Sequence, residues 1–328
     1  MAERTEPVPA SPAAARGVVA DVPAAPDGGS SQVWRTLRRN PLFWVGAGLS
    51  VGLIAMAIFA PVIAPYDPIE PFRDALSATG EPASPSARFL LGTDPTGRDF
   101  LSRLLWGARV SLLIAIGANS IATLLGLAVG ATAALVTSAR IPVGRGRHIG
   151  VPVDSVLMRL TDLWLSFPVL LLTITLAFVV GPSTGLVIVI IGTTLWTATA
   201  RIVYGRMIVL RESDFVEASR ALGASTWHVF ARRLLPHVLP ILVVYASLGI
   251  AAAVLFEATL SYLGAGVPPP TPTWGTMIAD NISWFATKPR LVLLPGLFIM
   301  LTVLGFNLLG DALRDALDPR AWWSRPQK

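Results

Sequence analysis

Few side chains in this 328-residue chain are of kinds that do chemistry, and their spacing decides which reactions are open to them. Gly181-Pro182-Ser183-Thr184-Gly185 has the Gly-x-Ser-x-Gly spacing of a nucleophile elbow. That motif needs a strand before the serine, a helix after it, and histidine and acid partners. Here it interrupts a long uncharged run, and His148, His228 and His237 fall on the opposite side in the topology derived below. It reads as a turn. A P-loop needs Gly-Lys-Ser/Thr, yet the two lysines, Lys288 and Lys328, follow Thr287 and Gln327. The chain has no cysteine, which excludes thiolate nucleophiles, disulfides and thiolate metal sites. His228 and His237 lack the surrounding ligands of a zinc site.

Arg211 to Pro236 is the polar stretch richest in local signals. Ser213 is placed to cap a helix whose first turn carries Asp214 and Glu217, near the positive end of the helix dipole. Gly223 supplies the left-handed turn that ends it. Ser225 can cap a second, short helix that Pro236 limits. On that helix Trp227, Phe230, Ala231, Leu234 and Leu235 recur at i, i+3, i+4, i+7 and i+8, making one apolar stripe. Arg232 and Arg233 sit near its negative end. The stripe must be covered, either by the chain's own helix ends and lipid headgroups or by a groove on a partner. On the residues alone both readings stand.

These residues are set in an apolar frame. Hydrophobic residues make up 53% of the chain and charged ones 14%, with mean hydropathy +0.62. A soluble domain carries roughly a quarter charged residues, so an ordinary soluble enzyme and a disordered chain are both excluded. Crossing ~30 Å of hydrocarbon takes about 20 largely uncharged residues. Residues 41–63, 110–139, 163–200, 238–263 and 291–310 qualify, and the break at 181–185 divides the third block into helices near 157–180 and 185–209. An all-α membrane protein with six membrane helices is predicted. Residues 1–40 read as a disordered tail ending in a basic, amphipathic lead-in at Trp34, Arg35, Leu37, Arg38 and Arg39. Residues 64–109 read as a loop in which Leu101, Leu104 and Leu105 suggest a short interfacial helix. A core of five helices then runs over 110–313, and 314–328 is a terminal extension. Gly48-x3-Gly52 and Gly126-x3-Gly130 permit close helix approach, and Trp274 and Trp284 fit an aromatic belt.

The net charge of +6 at first suggests a nucleic-acid partner. Its distribution says otherwise. With the amino terminus in the cytoplasm, nineteen of the 26 Lys and Arg residues fall on the inner side and seven outside. The inner ones lie before residue 40, over 140–159 and 201–233, and after residue 313. The positive-inside rule therefore predicts both termini in the cytoplasm, with 64–109 on the far side. No nucleic acid is expected.

Glu217, Ala218, Gly223, Leu235 and Pro236 fall at the spacing of the Glu-Ala-Ala, Gly and Leu-Pro signature of permease subunits of bacterial ABC importers, with Ser219 for the second Ala and Arg233 at a usually hydrophobic position. Leu91-Gly-Thr-Asp94-Pro-Thr-Gly97-Arg98-Asp99 with Ser102-Arg103 and Gly107-Ala-Arg109-Val-Ser111, Glu257-Ala-Thr-Leu-Ser261-Tyr-Leu263-Gly264, Trp274-Gly275, and Asn307-Leu-Leu-Gly310-Asp311 through Asp318-Pro319 narrow the likeness. Over roughly 40–320 the chain resembles the C-type permease of dipeptide/oligopeptide ABC importers.

That resemblance implies the type I ABC importer permease fold, and with it half of a translocation pathway for peptides in the bacterial inner membrane. It implies a second, B-type permease, two ATP-binding subunits and an extracytoplasmic binding protein as partners, with membrane lipid around them. ATP and Mg would be bound by the ATPases, and this chain would carry no cofactor, metal or catalytic residue of its own. The helix near 225–235 would be the coupling helix, so Glu217, Ala218, Gly223, Ser225, Trp227, Phe230, Leu234, Leu235 and Pro236 are the candidate ATPase-coupling residues. Relatives carrying nickel, glutathione or haem share the architecture.

Charges at membrane depth are costly and usually face the bundle or water. Arg159 and Asp162 can pair on one face, with Arg201 and Arg206 in reach, and a tie between helices is preferred to substrate contact. Glu257 interrupts an apolar run, where it receives a peptide's amino terminus or bonds to neighbouring backbone. Asn119 and Asn307 are read as interhelical hydrogen-bond donors. Asp94, Arg98, Asp99 and Trp274 are candidates for the binding-protein side, the alternative being a self-packed cap over the pathway. A stand-alone channel or secondary transporter would need carboxylates at the midplane, and Asp162 and Glu257 both sit towards helix ends.

Overall fold

The computed structural model describes residues 29–76, 80–136, 139–142, 148–181 and 183–317. Residues 1–28 of the tail expected over 1–40, Pro182 of the expected turn, and 318–328 at the carboxyl end lie outside them. Asn40 sets the entry to the first span. Its Oδ1 accepts from the Leu42 amide at 2.9 Å, and Pro41 takes the first helical position, where a missing N–H costs nothing. Before it lies α1 (Gly29–Arg39), the basic lead-in; after it α2 (Pro41–Ile63).

Helix α3 (Phe100–Leu135) starts ten residues before the expected second span. Asp99 is the reason: its Oδ2 accepts from the Ser102 amide at 2.7 Å and from the Ser102 hydroxyl at 2.6 Å. Leu104 and Leu105 are buried rather than lying on an interface, so the short surface helix expected there is instead the first turns of a span. The loop expected over 64–109 accordingly ends at 99.

A two-stranded antiparallel hairpin, β1 (Ala139–Pro142) with β2 (His148–Val151), follows. The expected helix near 157–180 is two helices, α4 (Val153–Ser166) and α5 (Val169–Val180), bent by 84°. Pro168 disfavours helical backbone at Phe167, which is extended at φ −81°, ψ 138°. Gly181, at φ +96°, ends α5, and Ser183 caps α6 (Thr184–Arg211) through Leu186.

Beyond α6 come α7 (Asp214–Ala221), α8 (Thr226–Val229) and α9 (Leu235–Tyr262). Pro236 does not stop α8, contrary to the expectation from sequence. A single π turn, Phe230–Leu234, joins α8 to α9, and Pro236 occupies the first turn of α9, where its missing donor is harmless. Two further helices, α10 (Trp274–Asn281) and α11 (Arg290–Leu317), complete the described chain. Helix α11 runs seven residues past the expected span, through Arg314. Among the described residues, five helical runs are long and apolar enough to cross a membrane, six if α4 and α5 count as one.

The helices meet where glycine allows. A Cβ on Gly126 would stand 2.5 Å from the Thr199 Cβ, and one on Gly130 2.4 Å from the Ala200 carbonyl oxygen. The α3 and α6 backbones therefore touch along that stripe. Gly48 and Gly52 have nothing within 4 Å, so the first glycine pair packs against none of the described residues. Phe100, Leu104, Leu112, Val254, Trp274, Met277, Leu291 and Phe306 form the core between α3, α9, α10 and α11. At the opposite end Leu37 of α1 is buried against Ala312 and Ala316 of α11.

Candidate functional site

Two regions gather the polar residues, one at each end of the bundle. At the first, α7 begins at Ser213, whose hydroxyl donates back to the Leu210 carbonyl instead of capping an amide. The chain reverses at Gly223, whose φ of +83° suits a residue without Cβ, and the Ala224 amide donates to the Ser219 carbonyl. Ser225 then caps α8, accepting from the His228 amide at 3.3 Å.

The apolar stripe of α8 and the π turn divides between the two covers considered for it. Leu234 is fully buried with Val203, Met207, Val216, Val229 and Val238, so part of it seats on the chain's own helices. Phe230 is half-buried against that cluster and lies 5.4 Å from the Trp227 ring. Trp227 itself is 72% exposed, and Leu222, one residue before the turn, is 90% exposed. Glu217, Ala218, Ser225 and Pro236 are exposed or half-exposed, and Leu235 is half-buried. Val216 and Val229 anchor the hairpin, and sequence periodicity missed them because each sits outside the Trp227–Leu235 stripe. Arg211 ties the hairpin to α3, donating to the Ala134 carbonyl at 2.7 Å.

At the second end, the 64–99 loop folds over α10 and the start of α11. Arg290 donates to the Leu91 and Ala83 carbonyls at 3.0 and 2.7 Å, and Lys288 pairs with Glu81 at 3.2 Å. Beneath lies a row of alternating charges. Asp94 Oδ2 is 2.7 Å from Arg98 Nε and 3.3 Å from Arg103 Nε, and Arg103 Nη2 is 3.6 Å from Asp280. Asp94, Asp99 and Trp274 are buried. They present nothing to a partner, which corrects the binding-protein reading for these three and the aromatic-belt reading for Trp274. Trp274 packs instead on Phe298 and donates from Nε1 to the Leu104 carbonyl at 3.2 Å. Arg98 is half-buried, and Asp280, which no sequence signal singled out, has a side chain 49% exposed. Burial raises the Asp280 carboxyl above its usual range, while Arg103 and Arg98 oppose that rise.

Glu257 is fully buried where α9 meets α3. Its two oxygens accept from Ser111 at 2.9 Å and Ser261 at 2.7 Å, and Ser111 in turn accepts from the Trp274 amide at 3.2 Å. Its partners are hydroxyls, not the neighbouring backbone expected from sequence, and the group links α3, α9 and α10. Asp162 pairs with Arg201 of α6, not with Arg159, which is exposed and makes no ion pair among the described residues. Asn119 donates to the Ala246 carbonyl at 2.8 Å, tying α3 to α9. Asn307 is half-buried and makes no side-chain hydrogen bond among the described residues.

Residues 126–323 match the family described as binding-protein-dependent transport system inner membrane component, and residues 30–79 match the N-terminal TM domain of oligopeptide transport permease C. The di/tripeptide transport system permease protein DppC of Pseudomonas aeruginosa is 39% identical over 292 residues, 88% of this chain and 91% of that protein. The dipeptide transport system permease protein DppC of Escherichia coli K12 is 39% identical over 306 residues, 92% and 96% of the two chains. The glutathione transport system permease protein GsiD of Pectobacterium atrosepticum is 37% identical over 291 residues, 88% and 90% of the two. Among solved structures, the inward-facing MetNI methionine ABC transporter matches with TM-score 0.49 at 21% identity, over 64% of this chain and 96% of that one.

Proposed function

We propose that this chain, which belongs to the family of binding-protein-dependent transport system inner membrane components, is the C-type permease of an ATP-driven importer of dipeptides and short oligopeptides. It sits as a multi-pass subunit in the bacterial inner membrane, with both termini and the α7–α8 hairpin in the cytoplasm. A B-type permease supplies the other half of the pathway. Two partner subunits bind ATP and Mg, and an extracytoplasmic binding protein delivers the peptide. Glutathione, itself a short peptide, is the second reading, favoured by the 37% identity to GsiD.

The single observation that carries the coupling role is the placement of Leu222 and Trp227. They flank the left-handed Gly223, project from the bundle, and stay uncovered by the described residues while Val229 and Leu234 fix the hairpin behind them. An apolar pair on a rigidly backed helical hairpin is suited to a groove in a partner, and the ATPase cleft is that groove. Binding of ATP would draw the ATPases together and rock the permease through α8, the π turn and α9, which form one helical run.

Gly223→Ile tests this. Left-handed backbone costs a residue with Cβ about 1–2 kcal/mol, and a β-branched one more, although no neighbour would clash. Dipeptide uptake is expected to fall roughly tenfold, the equivalent of about 1.4 kcal/mol, with the complex still assembled. Charge reversal at Glu217 is expected to act likewise. Uptake at the wild-type rate in both variants would overturn the coupling role.

A further inference from the structure

The outer charge row borders a cavity of about 630 Å³ between residues 95–98 and the 261–280 segment, walled by Tyr262 and the prolines at 268–270. That is the size of a small-ligand site. Its two charged ends are unsatisfied in complementary ways. Arg98 spends only its Nε and backbone amide on Asp94, and its terminal guanidinium nitrogens make no hydrogen bond among the described residues. Asp280 makes one ion-pair contact among the described residues, from Oδ2 to Arg103 at 3.6 Å and beyond hydrogen-bond reach, while Arg98 acts on it only through longer-range attraction. Arg98, Arg103 and Asp280 all line the cavity. Asp94, held by both arginines, fixes the row and is too buried to meet a ligand itself.

The row thus offers a planar, always-cationic donor fork at one end and an accessible carboxylate at the other, separated by one neutralised Asp–Arg pair. A guanidinium fork matches a carboxylate, and a carboxylate matches an ammonium. An extended dipeptide carries those two groups roughly 6–7 Å apart. Threonine, tyrosine and proline side chains between the ends make no demand on the side chains of the ligand, as suits a site that reads ends and not sequence.

We propose that this cavity is a binding site for the two termini of a dipeptide zwitterion, with its carboxylate on Arg98 and its ammonium on Asp280. The inference rests on the peptide-importer reading above and adds to it a site on the permease itself.

The test uses the purified complex of this permease with its partner permease and ATPases, without the binding protein. Equilibrium binding of Ala-Ala is compared with binding of N-acetyl-Ala-Ala and Ala-Ala amide. The zwitterion is expected to bind roughly tenfold more tightly than either blocked form, the scale of one charge-assisted contact. Asp280→Asn should abolish the preference for a free amine and leave that for a free carboxylate; Arg98→Gln should do the reverse. Asp280→Glu should largely restore the preference for a free amine, and Arg98→Lys, which keeps the charge but not the fork, should restore part of the preference for a free carboxylate; both show that the variants fold. Blocked forms binding as well as the zwitterion, no binding of any form, or equal weakening of all three ligands in both variants would overturn the site. Uptake of Ala-Ala by cells carrying the wild-type importer is measured in parallel. Uptake without end-group selectivity in the complex defeats the site alone, whereas absence of uptake defeats the peptide-importer reading.

Discussion

Glu257 shows how a residue's role follows from its satisfied bonds. A fully buried carboxyl costs several kcal/mol unless its lone pairs are taken, and here each oxygen accepts one hydroxyl. The group holds α3 to α9 and, through Ser111, positions the Trp274 amide. Glu257→Leu leaves Ser111 and Ser261 without their acceptor, at about 1–3 kcal/mol for each orphaned hydroxyl. A lowered thermal midpoint of the purified complex is the expected result. Glu257→Gln keeps the shape, and the serine hydroxyls can rotate to accept from the new amide, so its midpoint and its peptide uptake should stay near wild type. A tenfold drop in uptake by an intact Gln variant would instead place Glu257 in contact with substrate. That an acid here is special was legible in the sequence, since it broke an apolar run. Its partners were not, because Ser111 lies 146 residues away and looks like any serine in a helix.

Elements were legible wherever one physical signal governed them. The first apolar block begins at Pro41, where α2 starts, and Gly223 and Ser225 mark the turn and cap of the hairpin, because these act within a few residues. Elements were hidden where two signals conflicted. Arg103 and Arg109 ended the apolar block on sequence, whereas Asp99 starts the helix and Arg103 is buried on Asp94 inside the protein. Pro168 bends a continuous apolar stretch by 84° without altering its hydropathy. Pro236 reads as a stop but lies in the first turn of α9, just past the π turn. The two glycine pairs give the element-scale prediction. Gly130→Leu drives a side chain into the Ala200 carbonyl and Val203, neither of which can yield without moving α6. It should destabilise the complex by about 1–3 kcal/mol or more, as overpacking does, and lower the detergent-solubilised yield. A Cβ on Gly48 meets nothing within 4 Å among the described residues, so Gly48→Leu should leave the fold of α2 unchanged in the same assay. If Gly48→Leu is the damaging one, α2 rather than α6 makes the tight helix contact, against a partner.

At the scale of the whole molecule, charge sorts the two ends. The 64–99 end uses its cations locally: Arg88 pairs with Asp74, Arg98 and Arg103 with Asp94, Lys288 with Glu81, and Arg290 clamps the loop's carbonyls. The other end carries most of the arginines, among them Arg35, Arg38 and Arg39 on α1 and Arg232 and Arg233 within the π turn. Helix α1 packs on the last turns of α11 there, so the first and last described helices share that end. Retention of unneutralised Lys and Arg on the cytoplasmic face is the basis of the positive-inside rule, and by that rule the α7–α8 hairpin belongs on the side where ATPases work. The chain has no cysteine, so single cysteines report sidedness without background. Leu90→Cys, at an exposed site on the 64–99 loop, should react with a membrane-impermeant maleimide in spheroplasts. Glu212→Cys, exposed beside α7, should react only after permeabilisation. The reverse pattern would put the hairpin outside the cell, out of reach of any ATPase, and would take the coupling role of Leu222 and Trp227 down with the topology.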